Sequence, residues 1–259
     1  MKVVDWPALR HEVVDSTRRV GGLLRSAPDP TAVVPPLTWT VAEVGAHLLS
    51  LPRRYRAQME APTPFPGSMS AFNTTANDAV ELRDVDALAD ALDAEMGAFM
   101  DVLGDDPGAP TPFYGMMHSV EGLAGIALGE LLVHGLDLAR LQGQAWPITP
   151  EQALSAIAGT LPTLPNFTDA SVAGSAAGTY HLHPRGGDDW TVRVAGGAAT
   201  VSRGRPEWAD LHVSFDPVAY MLVGYQRRSQ WRALLGGQIV AWGRKPWLAL
   251  RFGKLFAEN

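Results

Sequence analysis

Three breaker clusters constrain this chain more than any other feature. APDPTAVVPP (27–36), APTPFPGSMSAFN (61–73) and GDDPGAPTPFYG (104–115) concentrate proline and glycine, and neither residue continues a helix interior. The lengths between them carry apolar residues at helical spacing. Residues 5–26 place Val13, Val14, Thr17, Val20, Leu23 and Leu24 on one side. TWTVAEVGAHLLSLPRRYRAQME opens with Thr40 and Glu43, the spacing of a capping box, and Pro52 is expected to kink or interrupt it. A third helix is expected from about Asn77 to Leu103, with Leu82, Val85, Leu88, Leu92, Met96 and Phe99 inward. A fourth is expected from about Ser119 to Leu141, stopped by Gly143. Residues 61–73 and 104–115 read as loops. Four helices with short breakers predict a bundle.

Beyond residue 146 the pattern changes. ITPEQALSAIAGTLPTLP reads as one more helix, with Thr149 as its N-cap and Pro150 in its first turn. The stretches GTYHLHP, DWTVRVAG, AATVSRG and WADLHVSFD then alternate with the period of strands. DPVAYMLVGYQ and KPWLALRFGKLF return to helix. The expected organisation is therefore α+β overall: a four-helix bundle over 1–146, then a small α+β domain over 147–259.

The bulk numbers narrow the chemistry. A net charge of -6 gives no basic footprint for nucleic acid. No uninterrupted apolar run approaches about 18 residues, so a membrane span is not expected. The first twenty residues are charged throughout, unlike a signal peptide, and a cytoplasmic location is expected. The absence of cysteine removes disulfides, thiolate ligands and a cysteine nucleophile together. Any thiol chemistry needs a thiol from outside, and any metal must be held by nitrogen and oxygen.

One stretch stands out: GELLVHGLDLARLQG, residues 129–143. Glu130 and His134 lie four apart and stack on one helix face. His47 sits close to the buried side of the second helix, marked by Val41, Val44, Leu48 and Leu51. Ligands from two helices converge in a bundle core. Two imidazoles and one carboxylate leave positions open on a metal, as catalytic zinc sites do; iron(II), nickel and manganese suit the same donors. Asp137 can orient His134 from behind or pair with Arg140. His118 is placed to serve the start of the fourth helix. His181 and His183 share a strand face, but with no third ligand near in sequence they read as a solvated pair. His11 and His212 carry no signal.

TWTVAEVGAHLL followed by GELLVHGLDLARLQG resembles the mycothiol-dependent maleylpyruvate isomerase family, part of the DinB/YfiT-like metalloenzyme superfamily. Trp39, Val41, Ala46 and His47 match its first motif; Glu130, His134, Gly135, Asp137 and Leu138 match its second. The resemblance implies that His47, Glu130 and His134 bind Zn2+ or another divalent metal, that mycothiol is the thiol cosubstrate, and that the chain is a monomer. It also implies a sterol-carrier-like second domain, which supplies an arginine to the active site; Arg227, or its neighbour Arg228, is the nearest candidate. The activity implied is cis–trans isomerisation of maleylpyruvate or a related enoyl acid, with S-transfer of the thiol to an electrophile as a neighbouring possibility. Two other readings stay open: a non-catalytic lipid binder whose tunnel is lined by Trp231, Trp242, Trp247 and Phe252, and a metal-free bundle acting on a hydrophobic intermediate.

Overall fold

The computed structural model describes residues 5–256; the outermost ends of the two expected domains, 1–4 and 257–259, lie outside the described residues. Two compact units divide between Ile148 and Thr149.

In the first unit, four long helices form the bundle: α1 (Trp6–Arg25), α2 (Val41–Glu60), α4 (Val85–Leu103) and α5 (Val120–Leu141), with the shorter α3 (Met69–Asp78) between α2 and α4. α1 packs on α4 and α5, and α2 packs on α4 and α5, so α2 and α5 are neighbours around the bundle. Each long helix starts on a side-chain cap: Asp5, Thr40, Asp84 and Ser119 each accept a backbone N–H of the first turn. Thr40 and Glu43 complete the capping box in both directions. α5 ends in a Schellman arrangement, with Gly143 at positive φ and the N–H groups of Gly143 and Gln144 donating to Arg140 and Ala139.

Four local expectations need correction. Pro52 does not interrupt α2, which runs on through it to Glu60. The segment 61–73 is not all loop: Ser68 caps α3, which starts at Met69. The expected third helix starts at Val85 instead of Asn77, because Asp84 caps it there. Leu82 still packs beside the bundle core of Ala42, Ala46, Leu49 and Leu88. Finally, 104–119 contains a hairpin, β1 (Pro110–Phe113) with β2 (Met116–Ser119). Its two-residue turn, Tyr114–Gly115, has positive φ at both positions, the signature of the turn whose twist matches paired strands. Buried Gln58 ties this hairpin to α2, accepting from the Tyr114 N–H at 3.3 Å and the Thr63 N–H at 3.1 Å.

α5 is apolar on nearly all sides, as a helix enclosed by neighbours must be. By length and composition alone it would also suffice to cross a membrane, but most of it is buried within the unit.

The second unit begins with α6 (Pro150–Thr160), capped by Thr149 and Gln152 in a second capping box. A 3-10 turn and α7 (Ala170–Ala173) lead into the strands. Among the described residues of this unit, β3 (Gly178–Pro184), β4 (Trp190–Ala195), β5 (Ala198–Arg203), β6 (Leu211–Phe215) and β7 (Ile239–Gly243) form one sheet in the order β5-β4-β3-β6-β7. Only the β3–β6 pair is parallel. Between β6 and β7 lie α8 (Pro217–Gly224) and α9 (Gln230–Leu235), and α10 (Ala249–Leu255) follows β7. Strand alternation separates two faces. Tyr180, Leu182, Trp190, Val192, Leu211, Val213 and Phe215 are buried on one. There Tyr220 of α8 stacks on Phe215 at 3.9 Å and Phe252 of α10 meets Tyr180 at 5.0 Å. The opposite face carries Thr191, His181, His212 and Trp242 in one register row.

Gly135 has no room for a side chain: a Cβ there would overlap the Trp146 ring, which is itself buried beneath the Arg19 guanidinium at 4.1 Å. Gly135→Ala is expected to destabilise the protein by about 1–3 kcal/mol through overpacking, read as a lower urea midpoint with an unchanged slope.

Candidate metal centre

α2 and α5 each bring polar side chains to a shared, otherwise apolar interface. His47 stands one and a half turns into α2, and its side chain is 1% exposed. Glu130 and His134 are successive turns of α5, 18% and 8% exposed. The three converge. Glu130 Oε2 lies 3.3 Å from His47 Nε2 and 3.4 Å from His134 Nε2. The two imidazoles meet edge to face at 4.9 Å. Asp137, fully buried, places Oδ2 3.5 Å from His134 Nδ1, the far nitrogen of that ring. Arg140, the alternative partner for Asp137, is exposed.

The electrostatics of the cluster pull its members apart. Burial disfavours the charged form of His47 and outweighs the pull of Glu130, holding its pKa down at about 4. Burial also acts against the Glu130 carboxylate, but hydrogen bonds from His134 and His47 override it and hold the carboxyl well below the usual carboxylate range. Burial opposes protonation of His134 as well, and is outweighed by Asp137 and Glu130, which raise its pKa. The same surroundings thus push the two rings in opposite directions, His134 up and His47 down, while Glu130 is held as a carboxylate.

The donor atoms fit a divalent cation. A tetrahedral ion with bonds of about 2.0–2.1 Å requires its ligand atoms about 3.3 Å apart, and the two nitrogen–oxygen separations match that edge. Both imidazoles present Nε2 to the same point, and one donor atom from each of the three residues lies within 4.8 Å of the others. Such a set of three leaves coordination open for an incoming ligand.

Two neighbours of this cluster were not singled out as site residues from the sequence. The Trp39 ring lies 4.8 Å from His47 and 6.3 Å from His134, held by the bridge between Val33 and Thr40. Arg54 stands two turns beyond His47 on α2, hence on nearly the same face. Arg53 and Arg56 both reach Glu95, at 2.9 and 2.7 Å. Arg54 instead donates to Asn73 Oδ1 at 3.0 Å and lies over Phe72. Its Nε and Nη2 are buried with no hydrogen-bond partner, and its charge is one of the influences against protonating His47. The only sequence signal was its spacing of seven from His47.

The remaining candidates fall elsewhere. His118 is buried, and its Nδ1 accepts the Ser119 N–H at 2.8 Å, at the start of α5. Arg227 lies in the second unit, part-buried in the turn after α8, where Gln226 has positive φ. Its Nη1 donates to Tyr225 O at 2.6 Å. Arg228 is exposed and donates to Gln238 at 2.9 Å. Trp231, Trp242 and Trp247 are 63%, 48% and 55% exposed, which is unlike the lining of an enclosed lipid tunnel. A cavity of about 470 Å³ in the same unit is lined by Arg205, Trp208, His212, Trp242 and Arg244. His181 and His183 do have a third partner: Asp189, brought back by the turn into β4.

Comparison with known proteins bears on the fold and the family. No curated protein matches the chain in sequence. Among solved structures, the crystal structure of the mycothiol-dependent maleylpyruvate isomerase aligns over 93% of this chain and 95% of its own, with a TM-score of 0.55 and 12% identity. A histidine-to-alanine mutant of that isomerase aligns over the same shares, with a TM-score of 0.54 and 13% identity. At such identities these matches speak for the α+β fold. The model of the mycothiol maleylpyruvate isomerase N-terminal domain matches residues 9–139, just over half the chain and the whole stretch carrying His47, Glu130 and His134. The chain therefore belongs to the mycothiol-dependent maleylpyruvate isomerase family.

Proposed function

We propose that this protein is a metal-dependent enzyme that uses mycothiol to isomerise maleylpyruvate or a closely related enoyl acid. The observation that carries the proposal is the meeting of His47 Nε2 and His134 Nε2 at Glu130 Oε2 inside the bundle. Family membership supports the thiol and the reaction class. The lack of any cysteine in the chain is consistent with a thiol supplied as a cosubstrate.

In this reading His47, Glu130 and His134 hold the cation. A zinc-class ion in such a site supplies Lewis acidity that makes a thiol more acidic. The protein's own residues do the rest. Asp137 fixes the ring of His134 by facing its outer nitrogen. Trp39 packs against His47 and limits its rotation. Burial around the three ligands keeps bulk water from competing with the thiol. Arg54 offers two buried guanidinium nitrogens, Nε and Nη2, suited to a substrate carboxylate. Addition of thiolate to the conjugated double bond makes it single; rotation and departure of the same thiol restore it in the trans geometry. The thiol is thus returned unchanged, and S-transfer, the neighbouring reaction, would consume it. Arg227 remains the candidate that the family pattern nominates in the second unit, although its Nη1 engages its own turn.

Five results are expected. Untagged protein carries about one equivalent of divalent metal at this site; chelation abolishes isomerisation of maleylpyruvate in the presence of mycothiol, and zinc restores it. Glu130→Gln abolishes both metal retention there and turnover while the far-ultraviolet dichroism is unchanged. Free thiol, followed with a chromogenic disulfide, stays constant through turnover; its stoichiometric loss would favour S-transfer instead. Asp137→Asn weakens metal affinity by about 10–100-fold, the usual effect of removing a group that orients a ligand, measured by competition with a chromogenic chelator. Arg54→Gln raises KM for the carboxylate substrate by about tenfold or more with a smaller change in kcat, in steady-state assays. An unchanged KM would remove Arg54 from substrate binding.

A further inference from the structure

The second unit contains a cluster that the bundle chemistry does not use. His181 and His183 project from β3 onto the sheet face opposite α8 and α10. Asp189, at the end of the β3–β4 connection, folds back against them. Its Oδ1 lies 2.6 Å from His183 Nδ1 and 3.1 Å from His181 Nε2. β6 adds a third imidazole: His212 pairs with His181 in the strand register, and their Nδ1 atoms are 3.0 Å apart. His212 in turn stacks on Trp242 of β7 at 5.4 Å.

The buried ring is the informative one. His181 is 5% exposed, and its Nε2 has no hydrogen-bond partner. The carboxylate is near, but the ring nitrogen is not aligned to donate to it. A proton on Nε2 would have only this poorly aligned carboxylate oxygen, 3.1 Å away, to reach. The tautomer that avoids this carries its proton on Nδ1, donated to His212 Nδ1, and leaves Nε2 as a bare lone pair. A bare imidazole nitrogen then faces a carboxylate oxygen, with a second imidazole alongside. That arrangement calls for a positive charge between them. An imidazole ligand whose other nitrogen is fixed by a hydrogen bond is how metal-binding histidines are usually held.

We infer that His181, His183 and Asp189 form a second divalent-cation site, with His181 Nε2, His183 Nδ1 and an Asp189 oxygen as ligands and His212 positioning His181. One donor atom from each of the three lies within 4.8 Å of the others. Two imidazoles and one carboxylate select a zinc-class cation such as Zn2+, Ni2+ or Co2+ over Mg2+ or Ca2+. A tetrahedral ion needs its ligands about 3.3 Å apart, so His183 must back away from Asp189. Its side chain is 47% exposed and free to do so. The remaining coordination faces solvent. The ion would tie β3 to the start of β4 across the 185–189 connection. The inference is independent of the bundle site, and the variants separate the two.

The test is a titration of the untagged, metal-stripped full-length chain with Co2+ and Zn2+, followed by calorimetry and by the Co2+ absorption spectrum. Two equivalents are expected for the wild type. The double variant His183→Ala/Asp189→Asn should take up one, with the Co2+ band of the bundle site intact. Glu130→Gln should retain the other. His212→Gln should weaken the second site by about tenfold or more without removing it. A chain that binds one equivalent, lost with Glu130→Gln and indifferent to the double variant, overturns the inference. One equivalent lost only in the double variant would uphold it while removing metal from the bundle. Should the double variant misfold, His183→Ala alone, at an exposed ring, must lower the second affinity at least tenfold, or the inference fails.

Discussion

A carboxylate pressed against two imidazoles between packed helices is the condition around which the bundle is organised. Glu130 is mostly enclosed, and an isolated buried charge is costly. Its cost is offset locally: Asp137 and Glu130 raise the pKa of His134 against the effect of burial, while His47 stays neutral because burial outweighs the carboxylate's pull. The site is consequently polarised before anything binds. Removing one partner would leave an uncompensated charge in the interior, so these side chains are tied to the stability of α2 and α5 as well as to chemistry.

The rest of the first unit serves that interface. α1 and α4 close the bundle, and α5 is apolar on nearly every side because neighbours enclose it. Gly135, directly after His134, gives way to the Trp146 ring, so the chain leaving α5 packs back on the turn that carries the ligands. On the other side, Gln58 holds the β1–β2 hairpin and the loop after α2 by two backbone N–H groups. Function and packing share the same two helices, which explains why polar residues there coexist with an almost unbroken apolar surround.

Much of this was legible in the sequence, and the exceptions have physical causes. Thr40 with Glu43 and Thr149 with Pro150 mark helix starts that the structure has, since a cap depends on residues within one turn. Glu130 and His134 could be placed on one face from their spacing alone. The proximity of His47 needed the resemblance, because packing of α2 against α5 is not written in either segment. The hairpin at 110–119 was missed because Tyr114 is a rare occupant of a positive-φ turn position. The start of α4 was misread because Leu82 continues the apolar rhythm although Asp84 resets the helix. Asp189 was overlooked beside His181 and His183 since a turn, not a periodicity, returns it to them.

The row Thr191–His181–His212–Trp242 also says something about assembly in time. His181 and His212 are 31 residues apart, and they meet through the parallel β3–β6 pair, with the β4–β5 hairpin formed from the chain between. Closing such a distant pairing forfeits loop entropy before any contact repays it. The bundle closes a longer loop still, since Gln142 at the end of α5 bonds Leu23 of α1 across 119 residues, but its helices can form locally before they dock. A nascent chain can thus hold single helices early, while β3 stays without its parallel neighbour until β6 has been made.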